Sequence, residues 1–265
     1  MPDKPRILWI GNSYTYMPRE LGGIPGVLKL LAAAGGTEGA EHETIVEGGV
    51  NLLAHLERAD ERLANGAAAE FDIIVLQDHS VSPAGGAVKE LPPGASRAAV
   101  LEALRDRYAP LLRGVGGGSG TVVLYQTWGR HARMHGQPEV LGEFEQMSRQ
   151  LSEGYLAYAR ELEAAGVASV EMARVGEAFL RYAEAPGGRE ALDGLFTDDI
   201  GHATPEAALL VACVWAMTLA RLPRRSGLAC EPTRESVLKV AGQIGVDAEA
   251  VPRILTAAGV GMSDL

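Results

Sequence analysis

A serine near one end of the chain and an aspartate and a histidine near the other could together perform nucleophilic catalysis. Ser13 follows a short apolar run, while Asp199 and His202 lie three residues apart. Serine is a weak nucleophile unless an adjacent base takes its proton. Histidine does this near neutral pH, and a carboxylate on its other ring nitrogen fixes the tautomer. These residue types predict a triad in which Ser13 attacks, His202 is the base and Asp199 orients it.

Each of the two segments also has a purely structural interpretation. Asn12 and Ser13 could simply form a turn, because both residue types hydrogen-bond readily to their own backbone. The segment with Asp199 and His202 could be a capping loop before a helix, with a histidine on the surface. Whether these residues form a catalytic site therefore depends on the secondary-structure elements that would bring the two segments together.

Those elements are predicted strands that alternate with predicted helices. Strands are predicted at residues 7–10, 43–46, 72–76, 121–125 and 167–172. Helices are predicted at residues 25–34, from 52 to 63, up to 113, at 138–165 and 175–185, from 204, and twice beyond 232. This alternation predicts an α/β fold with a parallel sheet covered on both faces, a three-layer α/β/α sandwich.

Polar side chains follow the predicted strands at the sheet edge where open α/β folds bind ligands. The third strand ends in Gln77-Asp78-His79-Ser80, and Trp128 and Arg130 follow the fourth. The Trp128 ring could lie against a sugar or a flat acyl group, and Arg130 could hold a carboxylate. An aromatic residue packed under its own loop is an equally good interpretation of Trp128.

The length of 265 residues suits one large core, and we find no internal repeat or boundary that would divide the chain. We therefore predict a single domain over residues 1–265, with a core at about 6–222 and a short helical extension at 223–265. His55 is expected on or near the surface of its helix, without a functional role.

Composition excludes several classes of function. The formal net charge of −10 and the pI of about 5.1 argue against a nucleic-acid partner. The apolar stretch at 207–220 has the length of a buried core helix rather than a membrane span. Only two cysteines are present, Cys213 and Cys230, and neither belongs to a metal-ligand pattern. These features, with no signal-peptide core before the first strand, predict a soluble cytoplasmic protein without a membrane partner.

The placement of these motifs resembles the SGNH or GDSL hydrolase superfamily over residues 6–222. Gly11-Asn12-Ser13 is similar to the first block of the family, with Asn12 where Asp is commoner. Gly48-Gly49 resembles the second block, and the segment from Asp199 to His202 matches the last. A little-characterised branch with Gly-Asn-Ser and Leu-Gln-x-x-Ser motifs resembles the chain more closely. The resemblance implies a flavodoxin-like, five-stranded parallel sheet.

The family also implies an oxyanion hole, and here the third block departs from its pattern. The backbone N–H groups of Ser13 and Gly49 would be two donors. The family asparagine that supplies the third is replaced by the segment that contains Gln77 and His79. Strand alternation gives both side chains the same nominal direction, so the sequence leaves the choice open. The chemistry favours Gln77, whose amide donates at any pH.

The function implied is hydrolysis of an O-acyl ester through an acyl-enzyme, most simply a small acyl (acetyl) group on a carbohydrate-like alcohol. Asn12 and Tyr14 would join Trp128 and Arg130 in the substrate pocket. The same site could act as an acyltransferase, or the scaffold could be a ligand-binding protein without catalysis. No cofactor and no metal are expected, because His131 and His135 lack a third ligand and lie among glycines and a proline.

Overall fold

The fold is built on a five-stranded parallel sheet. The computed structural model describes residues 4–85, 96–130, 138–198, 201–222 and 231–260. Its strands are β1 (Arg6–Gly11), β2 (Glu41–Val46), β3 (Ile73–Leu76), β4 (Thr121–Gln126) and β5 (Val170–Arg174). All neighbouring pairs are parallel and the order is β2-β1-β3-β4-β5. The predicted α/β class with a flavodoxin-like sheet is confirmed.

Helices connect these strands. The described α-helices are α1 (Ser13–Tyr16), α2 (Gly23–Ala34), α3 (Leu52–Leu63), α4 (Val81–Ala84), α5 (Arg97–Ala103), α6 (Ala109–Leu112), α7 (Pro138–Leu141), α8 (Phe144–Ala164), α9 (Val175–Glu184), α10 (Gly188–Ala191), α11 (Pro205–Arg221), α12 (Arg234–Ile244) and α13 (Val251–Ala258). A π-helical stretch, Leu104–Tyr108, joins α5 to α6. The helix predicted at 138–165 is divided at Gly142, which has a φ of 68°.

The described chain forms two compact units. One contains residues 6–13 and 41–176 and holds the whole sheet, and we call it the sheet unit. The other contains residues 4–5, 14–40 and 177–260, and we call it the helical unit. That the chain folds as a single domain stays a prediction.

In the sheet unit, the central strands are buried on both faces. All four residues of β3 have no exposed surface, and β1 is buried from its second residue onward. Strands buried on both faces are apolar throughout rather than alternating. One face packs on α3, α5 and α8 around a cluster that includes Leu8, Ile74 and Leu124. The two buried faces are those that a three-layer arrangement requires.

Helix α4 packs against α8 with no space for a side chain between them. Gly154 of α8 lies at this contact, and a Cβ built there would lie 1.9 Å from the carbonyl oxygen of Pro83. Ser82 and Ala84 of α4 are buried as well. The position of α4, which directly follows the end of β3 and its polar residues, is therefore fixed by α8.

In the helical unit, α11 packs against α2, α12 and α13. As predicted, Thr204 caps α11: its Oγ1 accepts the N–H of Ala207 at 3.4 Å, and Pro205 is the first helical residue. The extension is attached by polar contacts too. The Tyr182 hydroxyl donates to Glu206, and Arg253 Nη1 donates to the Tyr182 oxygen at 3.0 Å. Burial is the main reason why the pKa of Tyr182 rises to about 12.

The described part of the chain contains no helix that is both long and apolar enough to span a membrane. Cys213, on α11, is fully buried, and burial raises the pKa of its thiol to about 12. Cys230 lies outside the described residues.

If the extension is part of a single domain, a cavity in α13 should destabilise the whole chain. Ile254 has no exposed surface, so Ile254→Ala should lower the free energy of unfolding by about 2–5 kcal/mol. Thr256→Ala, at an exposed position on the same helix, should change it by less than about 0.5 kcal/mol. Denaturant unfolding followed by circular dichroism and tryptophan fluorescence checks both. A separate early transition in Ile254→Ala, with the main one unchanged, would contradict a single domain.

Candidate active site

Ser13 lies where the sequence predicts it, at the carboxyl end of β1. The strand ends at Gly11, Asn12 is buried, and Ser13 begins α1 with its side chain half-buried. β1 and β3 are neighbours, with Ile10 in register with Leu76. In the order 2-1-3-4-5 these two strands form the switch point, where such sheets bind ligands.

Gln77 holds Asn12 through both atoms of its amide group. Its Oε1 accepts the Asn12 backbone N–H at 2.8 Å, and its Nε2 donates to Asn12 Oδ1 at 2.9 Å. The same Nε2 donates to the backbone carbonyl of Asp78. Gln77 has no exposed surface. This amide therefore ties the residue before Ser13 to the end of β3.

The second block of the predicted oxyanion hole follows β2. Gly49 lies in an exposed turn with a φ of 74°, a conformation that glycine adopts without steric cost. The loop is bonded to the last residue of β1 and to the residue that follows it. Glu47 N–H donates to the carbonyl of Gly11 at 3.2 Å, and Asn12 Nδ2 donates to the carbonyl of Val50 at 2.9 Å. Asn12 thus contacts both the Gly49 loop and the end of β3.

Asp78 is a fully buried carboxylate for which the sequence motifs predicted no role. Its Oδ1 accepts the backbone N–H of Leu52 at 3.0 Å and that of His79 at 2.8 Å. Its Oδ2 accepts the hydroxyl of Tyr158 at 2.8 Å. Burial raises the pKa of Asp78 to about 6, although all three hydrogen bonds favour its ionised form. The sequence feature that could have indicated a role for Asp78 is its position just after a wholly apolar strand.

Tyrosines complete the surroundings of Asp78. Its backbone N–H donates to the Tyr155 oxygen at 3.1 Å, and Tyr108 donates to the carbonyl of Leu52 at 2.7 Å. Burial and the nearby Asp78 charge raise the pKa of Tyr155, Tyr158 and Tyr108 above the ordinary value. These hydroxyls therefore remain protonated.

His79 is half-buried beside the end of β3. Burial, together with the positive charge of Arg130, lowers its pKa to about 4. Its Nδ1 is buried and has no hydrogen-bond partner among the described residues. The imidazole is therefore neutral above about pH 5 and carries one N–H.

His202 lies in the helical unit, in a loop that is closed by backbone hydrogen bonds. Thr197 N–H donates to the His202 carbonyl at 3.0 Å, and Phe196 forms a β-bridge with Ala203. The ring of Tyr14 meets the imidazole edge to face, with centroids 5.9 Å apart and planes at 87°. Asp199, the predicted orienting carboxylate, lies outside the described residues.

After the fourth strand, Trp128 is packed in the interior and does not form a platform for a sugar. Trp128 has no exposed surface, so its indole contributes to packing and offers no free face to a sugar. Its neighbour Gly129 donates its N–H to Ser148 Oγ of α8 at 3.1 Å. Arg130 is half-buried, and its backbone N–H contacts Met147 Sδ at 3.3 Å. This segment is held against α8.

The expected position of His55 was wrong. It has no exposed surface, and burial lowers its pKa below the ordinary value. Its place on α3, three residues after Leu52, puts it on the apolar stripe of that helix. His131 and His135 lie outside the described residues, and those residues contain no group of three side chains that could hold a metal ion.

Comparison with known proteins identifies the fold. No protein-family model and no curated protein matches the chain. Among solved structures, it is similar to a candidate SGNH hydrolase from Slackia heliotrinireducens, with a TM-score of 0.56 and 24% identity over 82% of this chain and 99% of that chain. It is also similar to a lipase/acylhydrolase from Enterococcus faecalis, with a TM-score of 0.53 and 14% identity over 84% of this chain and 100% of that one.

A third similar structure is an acetyl xylan esterase from Geobacillus stearothermophilus. The TM-score is 0.55, and the identity is 14% over 84% of this chain and 97% of that one. The chain therefore has the SGNH hydrolase fold, as its motifs predicted.

The buried Asp78 should make stability depend on pH in a defined direction. Because its pKa is raised in the folded state, the native protein binds the proton more tightly than the unfolded chain. Its contribution is therefore favourable below about pH 4 and is lost as the pH rises towards 7, at a cost of about 3 kcal/mol. Asp78→Asn carries no ionisable group at this position.

We expect the difference in unfolding free energy, Asp78→Asn minus wild type, to increase by about 3 kcal/mol between pH 4 and pH 7. The increase arises because only the wild type loses the contribution of the Asp78 proton. Denaturant titrations of both proteins at each pH check it, since the other titrating groups cancel in the difference. Parallel pH profiles for the two proteins would contradict a raised pKa.

Proposed function

We propose that the protein is a serine hydrolase of O-acyl esters, in which Ser13 is the nucleophile, His202 the base and Asp199 the residue that orients it. The observation that carries the proposal is the contact between Tyr14 and His202. Tyr14 directly follows Ser13 in the chain, so a histidine of the predicted type lies against the neighbour of the predicted nucleophile. The SGNH hydrolase fold supports the same chemistry.

In the proposed reaction, His202 takes the proton of Ser13 as the serine oxygen attacks the ester carbonyl. The tetrahedral intermediate collapses to an acyl-enzyme, and the alcohol leaves with the proton from the imidazolium. His202 then activates water, whose attack releases the acid and restores Ser13. The oxyanion formed in both steps accepts hydrogen bonds from the backbone N–H groups of Ser13 and Gly49 and from a third donor.

For that third donor we propose His79 in place of Gln77, which the sequence favoured. Both atoms of the Gln77 amide already bond to Asn12, and its nitrogen also donates to Asp78. A direct role would require it to give up one of these contacts. The neutral His79 has its Nδ1 buried, which leaves Nε2 as the nitrogen able to donate.

We propose a small acyl group, such as acetyl, on a carbohydrate-like alcohol as the substrate. Solved structures of this fold include an acetyl xylan esterase and a lipase/acylhydrolase, which supports ester chemistry in general. Arg130 stays a proposed contact for the alcohol, together with Asn12 and Tyr14 near the nucleophile. The burial of Trp128 removes the stacking argument for a sugar. A screen of p-nitrophenyl esters of increasing chain length beside acetylated sugars identifies the acyl group and the alcohol.

Ser13→Ala should abolish ester hydrolysis and labelling by a fluorophosphonate probe while preserving the fold, because the side chain is half-buried at a sheet edge. His202→Ala should cost about as much, since the members of a triad act as a unit. Asp199→Asn should lower kcat by up to about 10⁴-fold. The matched control is Asp198→Asn, at the exposed neighbouring carboxylate, which should remain active.

A wild-type protein that binds esters but is never labelled at Ser13 would identify a binding protein without catalysis. Equal damage from Asp198→Asn and Asp199→Asn would show that the wrong carboxylate was assigned.

His79→Ala should lower kcat by about 10²–10³-fold with KM little changed, as expected for the loss of one oxyanion donor. Its melting temperature should change little, since Nδ1 has no described partner. Gln77→Ala removes the Oε1 acceptor of the buried Asn12 N–H and should chiefly lower the melting temperature. Steady-state kinetics and thermal unfolding of both variants check this, and the opposite ranking in kcat would return the donor role to Gln77.

A further inference from the structure

We propose that Asp78 is a positioning residue of the oxyanion hole, whose Oδ1 joins the loop that carries Gly49 to the strand end that carries His79. This inference rests on the proposed function and extends it to a residue that touches no substrate. It concerns residues of the sheet unit alone.

A single carboxylate oxygen of Asp78 is shared by two segments. Oδ1 of Asp78 accepts one N–H from Leu52 and one from His79, at 3.0 and 2.8 Å. Leu52 is the first residue of α3, three positions after Gly49. One acceptor atom therefore sets the separation between two segments that are far apart in the chain.

Leu52 is held at both its backbone N–H and its backbone carbonyl. Its N–H is bonded to Asp78, and its carbonyl accepts the Tyr108 hydroxyl at 2.7 Å. The cap of α3 adds a local restraint, because Asn51 Oδ1 accepts the N–H of Ala54 at 3.0 Å. Before Gly49, the Glu47 N–H is bonded to the carbonyl of Gly11, so the Gly49 loop is restrained at both ends.

Burial of the Asp78 carboxylate has an energetic cost. A fully buried carboxylate is unfavourable unless its oxygens are satisfied, and here each oxygen has a donor. An asparagine could make the Oδ1 contacts without a charge. The contact that a substitution must preserve is therefore acceptance at Oδ1.

The experiment compares variants that keep or remove this acceptor. Asp78→Asn retains an oxygen for both N–H groups, and its kcat should stay within about fivefold of wild type. Asp78→Ala removes the acceptor, and kcat should fall by about 10–100-fold while KM stays within about threefold of wild type. This loss is smaller than that expected when an oxyanion donor is itself removed, because Asp78 only positions the donors.

Two further variants isolate the junction. Leu52→Pro deletes the N–H at the first helical position, where proline is tolerated, and leaves Asp78 intact. Leu52 is fully buried, so Leu52→Ala, which shortens the same side chain but keeps the N–H, is its control. Only Leu52→Pro should reproduce the loss in kcat, and this pair tests the junction even where Asp78→Ala does not fold. Asp72→Ala is the matched control: it removes a carboxylate at the opposite end of β3, where Oδ2 accepts the Arg6 N–H at 2.8 Å, and kcat should be unchanged.

Amide hydrogen exchange of the same proteins gives a readout that requires no turnover. Exchange in residues 47–54 should be faster in Asp78→Ala than in wild type, and unchanged there in Asp72→Ala. Unchanged exchange in Asp78→Ala, or a kcat equal to wild type in Asp78→Ala or Leu52→Pro, would overturn the proposal. An equal loss of kcat in Asp78→Asn and Asp78→Ala would also overturn it, because the charge of Asp78, and not its Oδ1 contacts, would then be what matters. Absence of turnover and of Ser13 labelling in wild type would instead refute the proposed function. Hydrogen exchange in residues 47–54 would still test whether Asp78 holds the Gly49 loop in place.

Discussion

The candidate site depends on buried hydrogen bonds that tie together the ends of three neighbouring parallel strands. In a parallel sheet the carboxyl ends of all strands lie at one edge, but the connections that leave them diverge. Asn12, Gln77 and Asp78 oppose this divergence. Their amide and carboxylate groups bond β1 to β3, and bond both to the loop after β2. Because these groups are almost fully buried, a lost partner would leave an unsatisfied polar atom, so the arrangement is strongly specified.

Much of the fold could be predicted because the signals are local. The β-branched run of β3 is typical of a buried strand, and Thr204 with Pro205 marks the start of α11 without reference to other elements. The fifth strand was less well predicted. Val167 is buried although it precedes the strand, and β5 begins only at Val170, so burial and strand pairing do not coincide there.

The candidate site was predicted only in part, because residue types do not specify contacts. Gln77 and His79 have the same nominal direction, and only the bonds to Asn12 distinguish their roles. Trp128 has the composition of a sugar platform, yet burial depends on what packs over it, which the sequence does not encode locally. His55 could have been placed correctly, since its spacing from Leu52 and Leu56 puts it on the apolar side of α3.

The close approach of α4 to α8 at Gly154 limits how this site could change. His79 precedes the first residue of α4 by two positions, and the Pro83 carbonyl occupies the space where any other residue at 154 would place its Cβ. The segment after β3 therefore has no room to move towards α8. A descendant of this sequence that acquired a bulkier substrate would have to enlarge the site elsewhere, so the wall formed by this segment is the part of the site least open to evolutionary remodelling.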